Sequence, residues 1–274
     1  MDIKPTLQII IATHKRYQMP KDKVYLPLHV GADIKDENGN KLDLGYLKDN
    51  TGDNISELNP FFCELTGLYW AWKNLYADYI GLVHYRRHFC MEKKGKNIWD
   101  NILTYNQIKP YLGQIKIFVP NKRKYYIETL YSHYKHTHYS NQLDETRKII
   151  SEKYPAYLKS YDRVINHTYG YMFNMMIIQK ELLNDYCTWL FDILFELTKR
   201  IDVSELSTFQ SRFYGRISEI IFNVWLDYQI RNRKLQKAQI KEIPYIHMEK
   251  INWKKKGTAF FKAKFLNQKY KGSF

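Results

Sequence analysis

The chain has little cysteine: Cys63, Cys90 and Cys187 are the only 3 in 274 residues. No Cys-x-x-Cys pair occurs. An odd number of thiols in apolar surroundings excludes a disulfide scaffold and reads as buried thiols in a reducing compartment. Long apolar runs are also lacking, and no stretch approaches the length of a membrane-spanning helix. Met1 to Pro5 is polar and the apolar run Leu7–Ala12 is too short for a secretory leader. These absences predict a cytoplasmic protein, peripheral on a membrane at most. Gly-x-Gly-x-x-Gly and the Walker-type Gly-x-x-x-x-Gly-Lys-Ser/Thr are both missing, which disfavours Rossmann oxidoreductases and P-loop kinases. There is no internal repeat and no Gly/Ser linker. The expectation is one domain over 1–245, with 246–274 as an appended tail.

Acid is scarce too, with 28 Asp and Glu against 43 Lys and Arg, a net charge of +15. Such an excess points to a polyanion, an anionic membrane face or an anionic substrate. Aromatics reach 16%, with 24 tyrosines. Tyrosine suits sugars, bases and membrane interfaces, because its ring is apolar and its tip polar. An AT-rich genome would contribute to both signals. The hydrophobic and charged fractions are those of a soluble globular protein.

The most informative stretch is Tyr79-Ile80-Gly81-Leu82-Val83-His84-Tyr85-Arg86-Arg87-His88-Phe89. Its first half reads as a buried strand. Its second half places two His and two Arg where that strand ends. In open α/β sheets the carboxyl ends of strands face the ligand crevice, so His84, Arg86 and Arg87 suggest an anionic ligand, a diphosphate first. Solvated arginines at a surface strand end are the plain alternative. Leu7–Ala12 is a second strand of the same kind, followed by Thr13, His14, Lys15, Arg16 and Tyr17. Val24–Ala32 reads as a strand interrupted by Pro27. The polar stretch from Asp33 to Asn54 is a long loop, and such loops are often functional. Asn59-Pro60 opens a helix running to about Tyr76. Glu64 in its first turns either compensates the helix dipole or accepts hydrogen bonds from a sugar or ribose hydroxyl. The order strand, strand, loop, helix, strand is that of a nucleotide-binding α/β half-domain.

Ile102–Tyr111 reads as a weak helix and Ile115–Pro120 as a strand. From Asn121 to Ser140 the chain reads as a loop rich in Lys, Tyr and His, including His133, His136 and His138. A metal cluster, a substrate-contacting segment and a solvated loop all fit these histidines. Without companion Cys or carboxylates the metal signal is weak. Gly170–Ile178 reads as a buried strand in which Asn174 must find a partner, protein or ligand. Glu181–Arg200 is an amphipathic helix. A further helix opens at Gly215, with Glu219 in its first or second turn. Glu219 either compensates the dipole or serves as a general base, with Asp227 a weaker candidate. The tail from Lys250 to Phe274 carries 8 lysines and no acid, interleaved with Trp253, Phe260, Phe261, Phe265, Tyr270 and Phe274. That pattern suits an anionic membrane surface. Nucleic acid would bind by the same chemistry, and a solvated tail is the plain reading.

Several of these blocks together resemble a known bacterial family. They are Thr13-His14-Lys15, Asn54-Ile55-Ser56 with Asn59, Cys63-Glu64-Leu65-Thr66-Gly67-Leu68-Tyr69-Trp70-Ala71-Trp72-Lys73-Asn74, and Gly81-Leu82-Val83-His84-Tyr85-Arg86-Arg87. Met172–Met175 and Tyr186-x-x-Trp189-Leu190-Phe191 match as well, and Arg216-x-x-Glu219 ahead of Trp225-Leu226 less closely. The family was long described as a domain of unknown function in capsular and exopolysaccharide biosynthesis loci. The resemblance covers roughly residues 7–230 and excludes the tail. It implies a GT-A-like α/β domain with a mixed, mostly parallel central sheet flanked by helices. It also implies a glycosyltransferase extending lipid-linked glycans, some members being linked to galactofuranose transfer from a uridine diphosphate (UDP) donor.

On that reading Thr13, His14, Lys15, Tyr17, Asn54, Glu64, His84, Arg86 and Arg87 bind the donor. His133, His136 and Asn174 meet the acceptor, and Glu219 is the base of an inverting displacement. Most GT-A enzymes hold Mg or Mn through Asp-x-Asp, a triplet absent from this sequence. The expectation is no tightly bound cofactor and no protein-held metal, with cationic groups replacing or supplementing a divalent ion. The alternatives are a non-catalytic polysaccharide-assembly protein and a nucleic-acid-binding module. The expected partners are a UDP-sugar, a lipid-linked glycan and the anionic inner face of the cytoplasmic membrane, reached by the tail, and no nucleic acid.

Overall fold

Leu7–Thr13 forms β1, an interior strand of the main sheet, paired along both edges. The run Leu-Gln-Ile-Ile-Ile-Ala-Thr is β-branched and buried almost throughout, as a strand with neighbours on both edges and both faces requires. The structure, a computed structural model, describes residues 5–92, 95–250, 252–266, 268–270 and 272. Within the last helix, the side chains of Trp253, Lys255, Lys256 and Phe265 lie outside the description, as does Phe274. The chain divides into two units. One comprises Met1–Asn121, Asn174–Cys187 and Gln236–Glu249; the other comprises Lys122–Phe173, Thr188–Leu235 and Lys250–Phe274.

In the first unit, β2 (Tyr25–His29), β3 (Leu47–Lys48) and β4 (Tyr79–His84) run parallel with β1. Ala12 pairs with His84 and Thr13 with His29, so the carboxyl ends of β1, β2 and β4 emerge on one edge. Pro27 sits inside β2 rather than ending it. The neighbouring β3 pairs only with Leu28 and His29, so no ladder bond is lost on that side. β5 (Arg87–Phe89) folds back against β4 and pairs with β11 (Tyr245–His247). On the other flank β9 (Met176–Gln179) lies antiparallel to both β4 and β6 (Ile117–Pro120). β10 (Ile240–Ile243) completes the sheet, parallel to β6. The result is a mixed, mostly parallel sheet. Between β5 and β6 lies the short helix α3 (Tyr105–Ile108).

The helix expected from Asn59 is broken in two. α1 (Asn59–Phe62) stops at Cys63, whose φ of 54° is left-handed, and α2 (Leu65–Asn74) starts afresh. The Asn59 amide holds the break by donating to the Cys63 carbonyl at 2.8 Å and to Thr66 Oγ1 at 3.1 Å. Glu64 is therefore the residue before α2, not part of a long helix. Gly67 faces the sheet, where a Cβ would come within 2.9 Å of Val30 and 3.2 Å of Leu28. α2 packs as close as it does because nothing larger stands there.

The second unit is mainly helical. β7 (Arg123–Lys124) and β8 (Tyr169–Gly170) form a two-stranded ribbon. α4 (Leu130–Thr137), α5 (Asn141–Lys153), α6 (Leu158–Val164), α8 (Phe213–Arg231) and α9 (Trp253–Phe265) belong to this unit. α7 (Lys180–Arg200) contributes 180–187 to the first unit and 188–200 to the second. The histidine-rich stretch expected as a loop is α4. Thr129 and Ser132 cap its start, each side chain bonding the other's backbone N–H. The expected strand Gly170–Ile178 is likewise divided. Phe173 and Asn174 have φ of 74° and 53°, so a turn separates β8 from β9 and Asn174 lies in it. No helix among the described residues is long and apolar enough to cross a membrane.

Candidate active site

At the carboxyl edge of the first unit's sheet, side chains gather around Tyr85, a buried residue directly after β4. Four neighbours contact its ring. His14 meets it edge-on at 5.4 Å and Tyr17 at 5.1 Å. Lys15 Nζ stands 5.0 Å and the Arg86 guanidinium 5.2 Å from its centroid. An electron-rich ring face with two cations over it is a cation–π arrangement. Two parallel strand ends thus deliver Lys15 and Arg86 to one place, because β1 and β4 are adjacent in register.

A carboxylate completes the cluster. Glu249 lies 3.7 Å from Lys15 Nζ and 3.6 Å from Arg86 Nη1. The segment carrying it is fixed by β11 and by the Met248 N–H, which donates to the Arg86 carbonyl at 2.9 Å. Burial and the Glu249 charge both push the Tyr17 hydroxyl pKa up. Tyr17 is also held through its backbone. Its N–H donates to the Tyr46 hydroxyl, which donates in turn to the Tyr17 carbonyl.

The other expected donor-site residues divide by what their side chains do. Thr13 is buried and donates its hydroxyl to the Lys15 carbonyl at 2.7 Å, which shapes the turn presenting Lys15. Asn54 closes its own loop, bonding the Gly52 carbonyl and the Ser56 N–H. His84 ends β4, and Arg87 opens β5 with part of its guanidinium buried. His88 turns inward between Tyr25 and Trp99. Burial, with both ring nitrogens unpartnered, pushes its pKa down to about 4. It therefore adds no charge to the crevice, unlike the cations on either side of Tyr85.

Glu64 and Asn174, expected in separate donor and acceptor roles, touch each other. The Asn174 amide donates to Glu64 Oε1 at 2.7 Å. Asn174 finds the partner that burial demands, and it finds it from a left-handed turn that Asn tolerates better than most residues.

In the second unit His133 and His136 converge on Glu128. Each Nδ1 lies 2.7 Å from a carboxylate oxygen, and Lys264 is 3.7 Å away. An ionised carboxylate only accepts, so both Nδ1 atoms carry a proton toward Glu128. Burial would raise the Glu128 pKa, but the two imidazoles outweigh it and the net shift is downward. Burial pushes His133 down to about 4. Glu219 lies on α8, and its backbone carbonyl accepts from Asn223. Asp227 is engaged with Arg163 at 2.6 Å and with Arg231, which weakens its candidacy as a base.

Among the described residues no three His, Cys, Asp or Glu side chains cluster to hold a metal ion. The side chains at the Tyr85 cluster are mostly cations and phenols, a donor set that does not fit a protein-held divalent ion. Three residues escaped the sequence reading. Tyr85 was legible inside the His-Tyr-Arg-Arg block but was not singled out. Tyr46 and Glu249 reach the cluster only through the fold. A separate cavity of about 660 Å³ lies at the opposite, amino edge of the sheet, lined by Thr6, Gln8, Lys23, Leu75, Tyr76 and Tyr105.

The architecture is that of a GT-A-like glycosyltransferase. The chain superimposes on the apo structure of WbbM, a bifunctional glycosyltransferase, with a TM-score of 0.79 and 28% sequence identity. The match covers 89% of this chain and 46% of that one, so the chain spans less than half the length of that neighbour. The chain belongs to the family described as Domain of unknown function (DUF4422), which matches residues 8–231. No curated protein is significantly similar to it.

Proposed function

We propose that the chain is a glycosyltransferase that moves a sugar from a uridine diphosphate donor to a lipid-linked glycan in capsule or exopolysaccharide biosynthesis. The observation that carries this reading is the meeting of Lys15 and Arg86 over Tyr85 at the carboxyl ends of two adjacent parallel strands. That is where an open α/β sheet binds ligand, and the charge there suits a diphosphate. The guanidinium offers paired donors to phosphate oxygens and the ammonium a compact charge. Both would stabilise the negative charge that grows on the leaving diphosphate.

In the proposed reaction an acceptor hydroxyl attacks the anomeric carbon and the nucleoside diphosphate leaves, with inversion. Glu219 takes the hydroxyl proton. Thr13, His14, Tyr17, Asn54, His84 and Arg87 support the nucleotide side. Glu64, positioned by Asn174, accepts hydrogen bonds from ribose or sugar hydroxyls. His133 and His136 offer Nε2 lone pairs to acceptor hydroxyls. The basic, aromatic tail holds the enzyme on the inner face of the cytoplasmic membrane, near a lipid-linked acceptor.

A donor screen by thermal shift and product mass tests the reading, across uridine, guanosine and thymidine diphosphate sugars and starting with UDP-galactofuranose. A uridine diphosphate sugar is expected to raise the Tm and to be consumed. Absence of stabilisation and of turnover with every donor would overturn it. Excess chelator tests the cationic clamp: activity abolished by chelator and restored by Mn²⁺ would show that the leaving group needs a metal ion.

A further inference from the structure

The second unit carries a strained turn that displays two large apolar side chains to water. The Ile127 N–H donates to the Tyr125 carbonyl at 2.7 Å, closing a three-residue turn around Tyr126 at φ 58°. A non-glycine residue at the centre of such a turn is strained. The strain wins no burial, since Tyr126 is 80% exposed and Ile127 74%. The flanking residues turn inward instead: the Tyr125 ring packs at a tilt against His133, 4.4 Å between centroids, and Glu128 receives both imidazoles. Local strain that persists without a packing reward points to function.

The surroundings identify the partner. Exposed Lys122 and Lys124 precede the turn, and the chain carries a large positive excess. α9 packs beside it: Lys264 stands 3.7 Å from Glu128, the residue after Ile127, and Phe260 stacks over His133 at 6.1 Å. α9 and the residue after it also expose Phe261 and Leu266, with Lys254 and Lys262 in water. Two neighbouring elements thus each pair exposed apolar side chains with lysines. A glycan or a base would use the Tyr126 ring but has no use for a bare aliphatic such as Ile127. A bilayer interface takes both, the ring at headgroup level and the aliphatic below it, while the lysines meet anionic lipids.

We propose that the Tyr126–Ile127 turn is a second membrane-contact element, inserting into an anionic bilayer beside α9. This rests on the reading of the tail as a membrane-surface segment and adds a docking point outside the tail.

Flotation of the full chain on phosphatidylcholine vesicles, with and without phosphatidylglycerol, tests it. Wild type is expected on the anionic vesicles. Ile127→Ser should lower the partition coefficient about tenfold, the effect of exposing one large aliphatic side chain. Tyr126→Gly should lower vesicle binding while raising the Tm, because glycine accepts positive φ without strain. A merely structural role would move both readouts the same way. Lys254→Glu/Lys262→Glu reports on the tail alone. Loss of binding in that variant, with wild-type binding by Tyr126→Gly/Ile127→Ser, would overturn the proposal and leave the tail reading standing. Loss in the turn variant alone supports the turn and removes the tail. No wild-type binding to anionic vesicles overturns both. Turn variants that keep vesicle binding but lose turnover on a soluble glycan would make the turn an acceptor platform and overturn the membrane assignment.

Discussion

The Glu249 carboxylate lies 3.6 Å from the Arg86 guanidinium, at a distance where a phosphate oxygen of the proposed donor would also bind. The same carboxylate is 3.7 Å from Lys15. An internal anion therefore occupies the ground between the two cations. On the proposed reading a diphosphate must displace it or bind beside it against its charge. Glu249→Gln should tighten binding of uridine diphosphate about fivefold, as expected for removing one partly exposed repulsive charge of about 1 kcal/mol. Calorimetric titration measures this. Weaker binding by the variant would mean that Glu249 helps to place Lys15 and Arg86 rather than competing for them.

Arg86→Ala and Lys15→Ala should each cost donor affinity about tenfold or more. Arg86→Lys should rescue only part of the loss, because an ammonium lacks the paired donors of the guanidinium. Both losses should shrink at high salt, where exposed charges are screened. Equal affinity of all three variants and wild type for uridine diphosphate would place the donor elsewhere.

Glu219→Gln should leave donor binding intact and remove most turnover, at least a hundredfold as is typical for loss of a general base. Near-native turnover would move the base to another residue. His136, whose Nδ1 is held by Glu128, would be the next to test.

Asp49 is fully buried and accepts hydrogen bonds from the Gly31 and Ala32 N–H groups and from the Ser56 and Thr66 hydroxyls. It ties the loop after β2 to the start of α2. Asp49→Ala leaves these donors buried and unpaired, and should cost about 3–5 kcal/mol in urea unfolding. Gly67→Val should be destabilising for a different reason, the overpacking of α2 against Val30 and Leu28, at about 1–3 kcal/mol. If either variant unfolds like wild type, the helix–sheet contact is more adaptable than these distances indicate.

Acid should destabilise the fold before its carboxylates titrate. Burial pushes His88 down to about 4, and burial with the Arg216 charge pushes His138 down to about 3. An unfolded histidine takes up its proton near pH 6.5. Between that pH and the folded values the unfolded state binds more protons, so stability is full above about 6.5 and falls as pH drops towards 4. The loss from His88 alone is of the order of 3 kcal/mol. Tm measured at intervals from pH 7.5 to 4, in wild type and His88→Phe, checks this: the variant should show a shallower fall over about pH 6.5 to 4.

That β1 and β4 are buried strands was readable from the chain alone, because apolar β-branched runs of that length have few other folds. So was the placing of cationic residues directly after both strands, since the change from apolar to charged is local. The amphipathic helices α7 and α8 follow from the same periodicity. The break at Cys63, the turn at Asn174 and the helix at Leu130–Thr137 were not legible. Each depends on a left-handed residue or a side-chain cap that outweighs local pattern. Which cations share a ring, the silence of His88, and the place of Glu249 between Lys15 and Arg86 came only with the fold. Those outcomes depend on parallel register and on a late strand, β11, returning to β5. Electrostatic partners are chosen by distance in space, which spacing along the chain does not encode.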